Sequence, residues 1–207
     1  MIEGLITLVV AHEVASQKVI LEKTSEEYKT LQAKSEAQKS GSSSSAVKYN
    51  ITFDVATRGA IKADASEFAS VVENTLTDSR GWIRAGVKFK KVASGGKLHV
   101  ILASGTEIDK YNGCSAELSC TVFPLVLIND TRWLKATDSY NNAGLSLSSY
   151  RQMVINHEVG HYLGHDHAAA CGTGGLAPIM LQQSTGLRGC KGNSWPLDSE
   201  LWVTRGY

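Results

Sequence analysis

Net charge is nearly absent. The 207 residues carry 21 Lys and Arg against 20 Asp and Glu, a formal charge of +1, and the pI is about 7.7. A balance this even excludes a dominant electrostatic partner such as nucleic acid or an anionic membrane surface. Long apolar runs are missing too. Residues 1–11, MIEGLITLVVA, are too few to span a bilayer and lack the basic leader of a signal peptide. Two readings of this stretch stay open. It is the tail of a membrane anchor that starts upstream, tethering the chain through its N-terminus, or it is the start of an ordinary helix. There are no internal repeats, no Gly-rich phosphate loop and no locally supported Ser/His/Asp arrangement. The sequence therefore offers no signal for a solenoid, a phosphate cradle or a serine nucleophile.

No C-x-x-C pair occurs. The four cysteines are Cys114, Cys120, Cys171 and Cys190, an even number that suits an oxidising compartment, extracellular or at the cell surface. Of the three connectivities, Cys114–Cys120 with Cys171–Cys190 is read first. Four reduced, buried thiols in a cytosolic protein is the competing reading.

Apolar residues are sparse from His12 to Lys39, where Glu, Lys, Gln and Ala dominate. Heptads are not sustained, so this stretch reads as a solvated helical stalk rather than a coiled coil. Residues 40–45, SGSSSS, read as a flexible linker. The boundary falls there: residues 1–45 form the extension and 46–207 the domain, which is long enough to build a core. Tyr49–Val55 alternates as a strand. Asp64 with Glu67 makes a variant capping box before a helical face of Phe68, Val71, Val72, Thr75 and Leu76, closed by Arg80-Gly81. Val87–Val92 and Leu98–Leu102 read as strands joined by a hairpin turn at Ser94-Gly95-Gly96. Thr121–Phe123 and Leu125–Ile128 are short apolar segments split by Pro124, which suits a sheet edge. Asn129-Asp130 ends the second, and Asp138–Gly144 reads as a polar loop. Asn129, Asp130, Asp138, Asn141 and Asn142 match no calcium-loop spacing and read as turn residues. Asp198 would cap a short helix running to Val203.

What the chain does have is one dense motif. Residues 157–167 read HEVGHYLGHDH, that is H-E-x-x-H-x-x-G-x-x-H. Leu147, Tyr150, Val154, His157 and His161 step by three or four, with a possible cap at Ser146, Ser148 or Ser149. Ile155, Val159 and Tyr162 form a second apolar stripe. A helix apolar on two sides is wedged between layers. His157 and His161 then lie one turn apart on one face and can aim imidazole nitrogens at a single ion. Zinc accepts such ligands at about 2.0–2.1 Å, with three protein groups and an open position when it is catalytic. Glu158 points away from the first ligand and is placed to take a proton from water. Gly164 can adopt positive φ and stop the helix. His165, Asp166 and His167 compete for third ligand, and the spacing of ten positions from His157 favours His167. The other two read as surface groups or as partners of the ligating rings.

These eleven residues resemble the metzincin signature, a clan of zinc peptidases with a downstream Met-turn. Ala177-Pro178-Ile179-Met180, with Met180 thirteen residues after His167, looks like that turn. Landmarks from Tyr150 to Pro196 (VINHEVGH, APIMLQQ, GLRGC and Trp195-Pro196) are similar to an uncharacterised family of predicted secreted metzincin-like domains found mainly in actinobacteria. The resemblance covers roughly residues 47–196. It implies an α+β fold: a small twisted mixed sheet in β-α-β-β-β-β-α order, packed on a central zinc-binding helix, with a Met-turn and a short C-terminal helix. It also implies that the edge segment Ser119–Phe123 binds an extended peptide or protein substrate by strand addition. Several metzincins place a Tyr two positions after the Met; Gln182 stands there in this chain.

The expectation is a zinc-dependent endopeptidase: one Zn2+ held by His157, His161 and His167, with Glu158 as general base. The alternative is a non-catalytic, zinc-stabilised surface binding module. Glu158 argues against it, because a structural site needs no base and usually has four protein ligands. The first 45 residues hold no Cys, so this extension supplies no thiolate to block the metal.

Overall fold

In the computed structural model, residues 47–205 are described. The apolar segment, stalk and Ser-rich linker expected over residues 1–45 lie outside them. Strand β1 (Tyr49–Arg58) runs three residues beyond the expected stretch and turns Ile51 and Phe53 into the core. Helix α1 (Ala65–Leu76) follows. The Asp64 side chain accepts the N–H groups of Ser66 and Glu67, satisfying donors that the first turn leaves free. Phe68, Val72 and Leu76, four apart, form its buried face. Glu67 does not fold back to complete a capping box. Its carboxylate pairs with Arg151 at 2.8 Å.

The expected hairpin is not formed. Strands β2 (Val87–Lys91) and β3 (Leu98–Ala103) both run parallel to β1, one on each side. β2 pairs with Tyr49–Phe53 and β3 with Phe53–Arg58. Residues 92–97 therefore cross β1 instead of reversing beside it. A Cβ on Gly96 would come within 2.8 Å of backbone atoms of Phe53 and Asp54. The Asp54 carboxylate accepts the Gly96 N–H at 2.8 Å. The Gly-Gly pair thus marks a close approach of two backbones, not a chain reversal.

Strand β4 (Cys120–Val122) lies antiparallel to β5 (Leu125–Asn129), which is parallel to β3. The sheet order is β2-β1-β3-β5-β4, a mixed, mostly parallel sheet in an α+β domain. β4 is an edge, as expected, and Pro124 sits in the turn after a cis Phe123–Pro124 bond. Alternate residues divide the faces. Val100, Leu102, Val126 and Ile128 join the main core with α1. Ile101, Ala103 and Leu127 pack with Ile108 on the other face.

Three short helices were not expected: α2 (Gly105–Ile108), α3 (Asp130–Lys135) and α4 (Asp138–Asn142). Asn129 caps α3 and Thr137 caps α4 through side-chain oxygens. The same polar residues signal turns and helix starts. Asp130 accepts the backbone N–H groups of Lys62 and Ala63, so its carboxylate serves the fold.

Helix α5 (Leu147–Leu163) is the centre of the domain. Ser146 caps it by accepting the Ser149 N–H, and Gly164, at φ 102°, ends it. Tyr150, Val154, Ile155, Val159 and Tyr162 are all buried, which matches the two apolar stripes. It packs against α1, α3, β4 and β5. Both disulfides, Cys114–Cys120 and Cys171–Cys190, are formed, as an oxidising environment allows. No helix among the described residues is long and apolar enough to cross a membrane. The expected C-terminal helix is reduced to one 3₁₀ turn, Asp198–Glu200. The following backbone bonds elsewhere: Thr204 N–H donates to the Leu163 carbonyl, and the Trp202 carbonyl faces His165 Nε2 at 2.9 Å.

Candidate metal centre

His157 and His161 project from one face of α5, with ring centroids 4.9 Å apart. Past the helix, Gly164 turns the chain, and its N–H and that of His165 donate to the carbonyls of His161 and Gly160. The turn brings His167 back, with its Nε2 3.0 Å from His161 Nε2. One nitrogen from each of the three rings lies within 4.8 Å of the others. A tetrahedral ion bonded at 2.0–2.1 Å sets its ligand nitrogens roughly 3.3 Å apart, so the three could hold a metal ion.

The protonation pattern fits that role. His157 Nδ1 lies 2.7 Å from the Ile179 carbonyl, and His161 Nδ1 lies 2.8 Å from the His165 carbonyl. A carbonyl can only accept, so each Nδ1 carries the hydrogen and each Nε2 keeps its lone pair. The His161 lone pair therefore faces His167, a contact that a proton or a cation satisfies. Burial holds the His157 imidazole neutral, down to about 3, aided by the neighbouring His161. Burial also lowers His161 and His167. Neutral imidazole is the ligating form.

Glu158 lies beside the cluster and is buried. Burial pushes its carboxyl up to about 7, against a hydrogen bond from Thr121 that pulls it down. Thr121, on edge strand β4, places Oγ1 2.7 Å from Glu158 Oε2. The three histidines and Glu158 line one open cleft of about 420 Å³, shared with Thr121, Phe123 and Gln182. Phe123 is half exposed and stacks on Tyr162 at 5.2 Å.

A family model described as protein of unknown function DUF3152 matches residues 15–203. The chain belongs to this family. No curated protein matches it. In this DUF3152 domain the matched span takes in the whole histidine cluster.

Of the three contenders for third position, only His167 joins the cluster in the DUF3152 chain. The His165 ring is buried and lies tilted against two tryptophans, with centroids 3.7 Å from Trp202 and 4.9 Å from Trp82. Its contribution is its carbonyl, which orients His161. Asp166 is exposed. Met180 is buried and packs against α5 where Gly160 leaves room: a Cβ on Gly160 would overlap Met180 Sδ. The Met180 carbonyl accepts the N–H of Ala168, next to His167, at 2.9 Å.

The sequence marks Trp202 as a packing residue without its partner, and it does not reveal Thr121 or Glu200. Thr121 falls in an apolar edge segment, and nothing in that segment signals which side chain meets Glu158. Glu200 is buried and accepts three backbone N–H groups, from Ile179, Met180 and Leu197. In the sequence it is one acid in the short helix expected from Asp198 to Val203, with no period or spacing to mark it.

Proposed function

We propose that the chain is a zinc-dependent endopeptidase of metzincin type, acting outside the cell or at its surface. One observation carries this reading: a buried carboxylate, Glu158, shares an open cleft with three imidazoles, two of them oriented by carbonyls. A structural zinc site is closed by four protein ligands, whereas three ligands and an open cleft suit catalysis. When bound, zinc supplies Lewis acidity, which polarises a scissile carbonyl and makes water acidic near neutral pH.

Glu158 accepts the proton of the attacking water and returns it to the leaving amine. In the metal-free site burial raises its carboxyl to about 7, the direction that gives a carboxylate the proton affinity of a general base near neutral pH. Thr121 holds it in the cleft. The outer edge of β4, unpaired among the described residues, borders the same cleft and offers main-chain groups to an extended peptide. With Gln182 two positions after Met180, no tyrosine supplies an oxyanion donor from that position. The two disulfides fit secretion.

The test is digestion of a proteome-derived peptide library by the zinc-loaded protein, with and without chelator. Chelator-sensitive cleavage is expected. Glu158→Ala should retain zinc and lose turnover; cleavage by this variant at the wild-type rate overturns the assignment.

A further inference from the structure

The polar partners of the metal-centre histidines converge on the last described turn of the chain. His157 Nδ1 donates to the Ile179 carbonyl at 2.7 Å. The N–H of Ile179 and that of Met180 both donate to Glu200, to Oε2 and Oε1 respectively, at 2.9 Å. Oε2 also accepts the Leu197 N–H at 2.8 Å. The Met180 carbonyl in turn holds Ala168, the neighbour of His167, at 2.9 Å. On the other side, His161 Nδ1 donates to the His165 carbonyl at 2.8 Å. The His165 ring lies against Trp202, and its Nε2 donates to the Trp202 carbonyl at 2.9 Å. Two residues, Glu200 and Trp202, thus fix the two carbonyls that orient His157 and His161.

We infer that Glu200 and Trp202 are positioning residues of the metal centre, and that this C-terminal strap sets its affinity for zinc. The inference rests on the zinc reading above. The chemistry explains why position 200 needs a carboxylate. Both oxygens face N–H donors, so both must accept. An amide of the same shape would set an NH2 group against a backbone N–H. Such a mismatch in a buried site costs the desolvation of the unpaired groups, and the Ile179–Met180 peptide, released from its anchor, would no longer fix the His157 ring. Trp202 is different: it is 44% exposed. Core burial does not explain a large exposed ring, whereas its close ring contact with His165, centroids 3.7 Å apart, does.

The experiment uses the full chain. Zinc affinity is measured by competition with a chromophoric chelator for wild type, Glu200→Gln and Trp202→Ala. Near-UV circular dichroism of the metal-free forms reports folding, and the cobalt(II) spectrum reports ligand geometry. Loss of an outer partner of a metal ligand typically lowers affinity by about 10–100-fold. A fall of that size in each variant, with a changed cobalt spectrum and a retained metal-free fold, is the expected result. If Glu200→Gln does not fold, Trp202→Ala, at an exposed position, decides alone.

A purely structural role is separated by a double-mutant cycle with His157→Ala. The effect of Glu200→Gln should shrink in that background, because one ring it positions is gone. Equal effects in both backgrounds, or variants that bind zinc as tightly as wild type, overturn the inference and leave the zinc reading intact. Failure of the wild type to take up zinc overturns both.

Discussion

Thr121 Oγ1 lies 2.7 Å from Glu158 Oε2 and 2.9 Å from the Glu158 carbonyl. One hydroxyl thus serves the carboxyl in both of its states. When Glu158 is ionised, Thr121 donates to the carboxylate. When Glu158 is protonated, it can donate to Thr121, which then donates to the carbonyl. This side chain joins edge strand β4 to Glu158 through both its carboxyl and its carbonyl.

The pH dependence of turnover follows from that pair. Burial raises the Glu158 carboxyl and the Thr121 hydrogen bond lowers it, to a net value of about 7 in the metal-free site. A hydrogen bond to a charged group contributes roughly 1.5 kcal/mol or more, and about 1.4 kcal/mol corresponds to one pH unit. Thr121→Val removes the donor, so Glu158 holds its proton to higher pH. The acid limb of kcat/KM for peptide cleavage should move up by about one pH unit. Thr121→Ser, which keeps the hydroxyl, should leave it in place. An unmoved limb in Thr121→Val would separate Thr121 from the base.

His165 and His167 should respond in opposite ways. His167→Ala removes a nitrogen from the cluster and should release metal on dialysis. His165→Ala removes a buried ring packed against two tryptophans but no ligand. It should keep metal at one equivalent under saturating zinc and lower stability by about 3 kcal/mol, the scale of a large-to-small change in a buried aromatic site. Metal content paired with a denaturant titration checks both. Loss of metal from His165→Ala at saturation would return His165 to the ligand set.

How much of this was legible in the sequence depends on the range of each signal. The strand segments, the capped helix with Phe68 and Val72 inside, and the edge position of the residues around Pro124 all follow from local periodicity and turn chemistry. The histidine cluster was legible because helical spacing fixes His157 and His161, and one glycine fixes the turn to His167. The crossing of β1 was not. Gly95-Gly96 serves a reversal and a close backbone passage equally well, and only the partner strand decides. The short helices α3 and α4 were hidden for a similar reason: Asn129 and Thr137 cap helices with the same side chains that end strands. The anchoring of Ile179 by Glu200 is a contact across 21 positions between a buried acid and backbone donors, and backbone donors leave no mark in a sequence.

The disulfide across the Met180 loop gives a stability prediction. Cys171 and Cys190 are 19 positions apart. Closing a loop of that size constrains the unfolded chain by about 3 kcal/mol. Replacing both residues by Ser should lower unfolding free energy by about that amount in a denaturant titration without reductant. The same loop carries Ile179, the carbonyl partner of His157, so zinc affinity should fall as well. A stability loss with unchanged affinity would show that the Glu200 contacts fix the turn without the disulfide.

Gly160 gives a prediction in which two effects oppose each other. In an exposed helix interior, Gly→Ala stabilises by about 1 kcal/mol, because Gly loses more backbone freedom on folding. At Gly160 the helix faces the core, and an added Cβ would overlap Met180 Sδ and come within 3.0 Å of Trp82 Cζ2. Met is flexible, so its sulfur could yield at an open site. Here Met180 is buried, its backbone is held by Glu200 and Ala168, and Trp82 is fixed by a bond from its Nε1 to the Asn156 carbonyl at 3.0 Å. Overpacking of such a site costs about 1–3 kcal/mol, which exceeds the gain in helix propensity. Gly160→Ala should therefore destabilise the domain. Pairing it with Met180→Val, which vacates the overlapped volume, should recover part of the loss and give a favourable coupling energy in a double-mutant cycle. Stabilisation by Gly160→Ala alone would mean that Met180 moves freely, and that the packing of the Met180 loop on the histidine helix is looser than these contacts require.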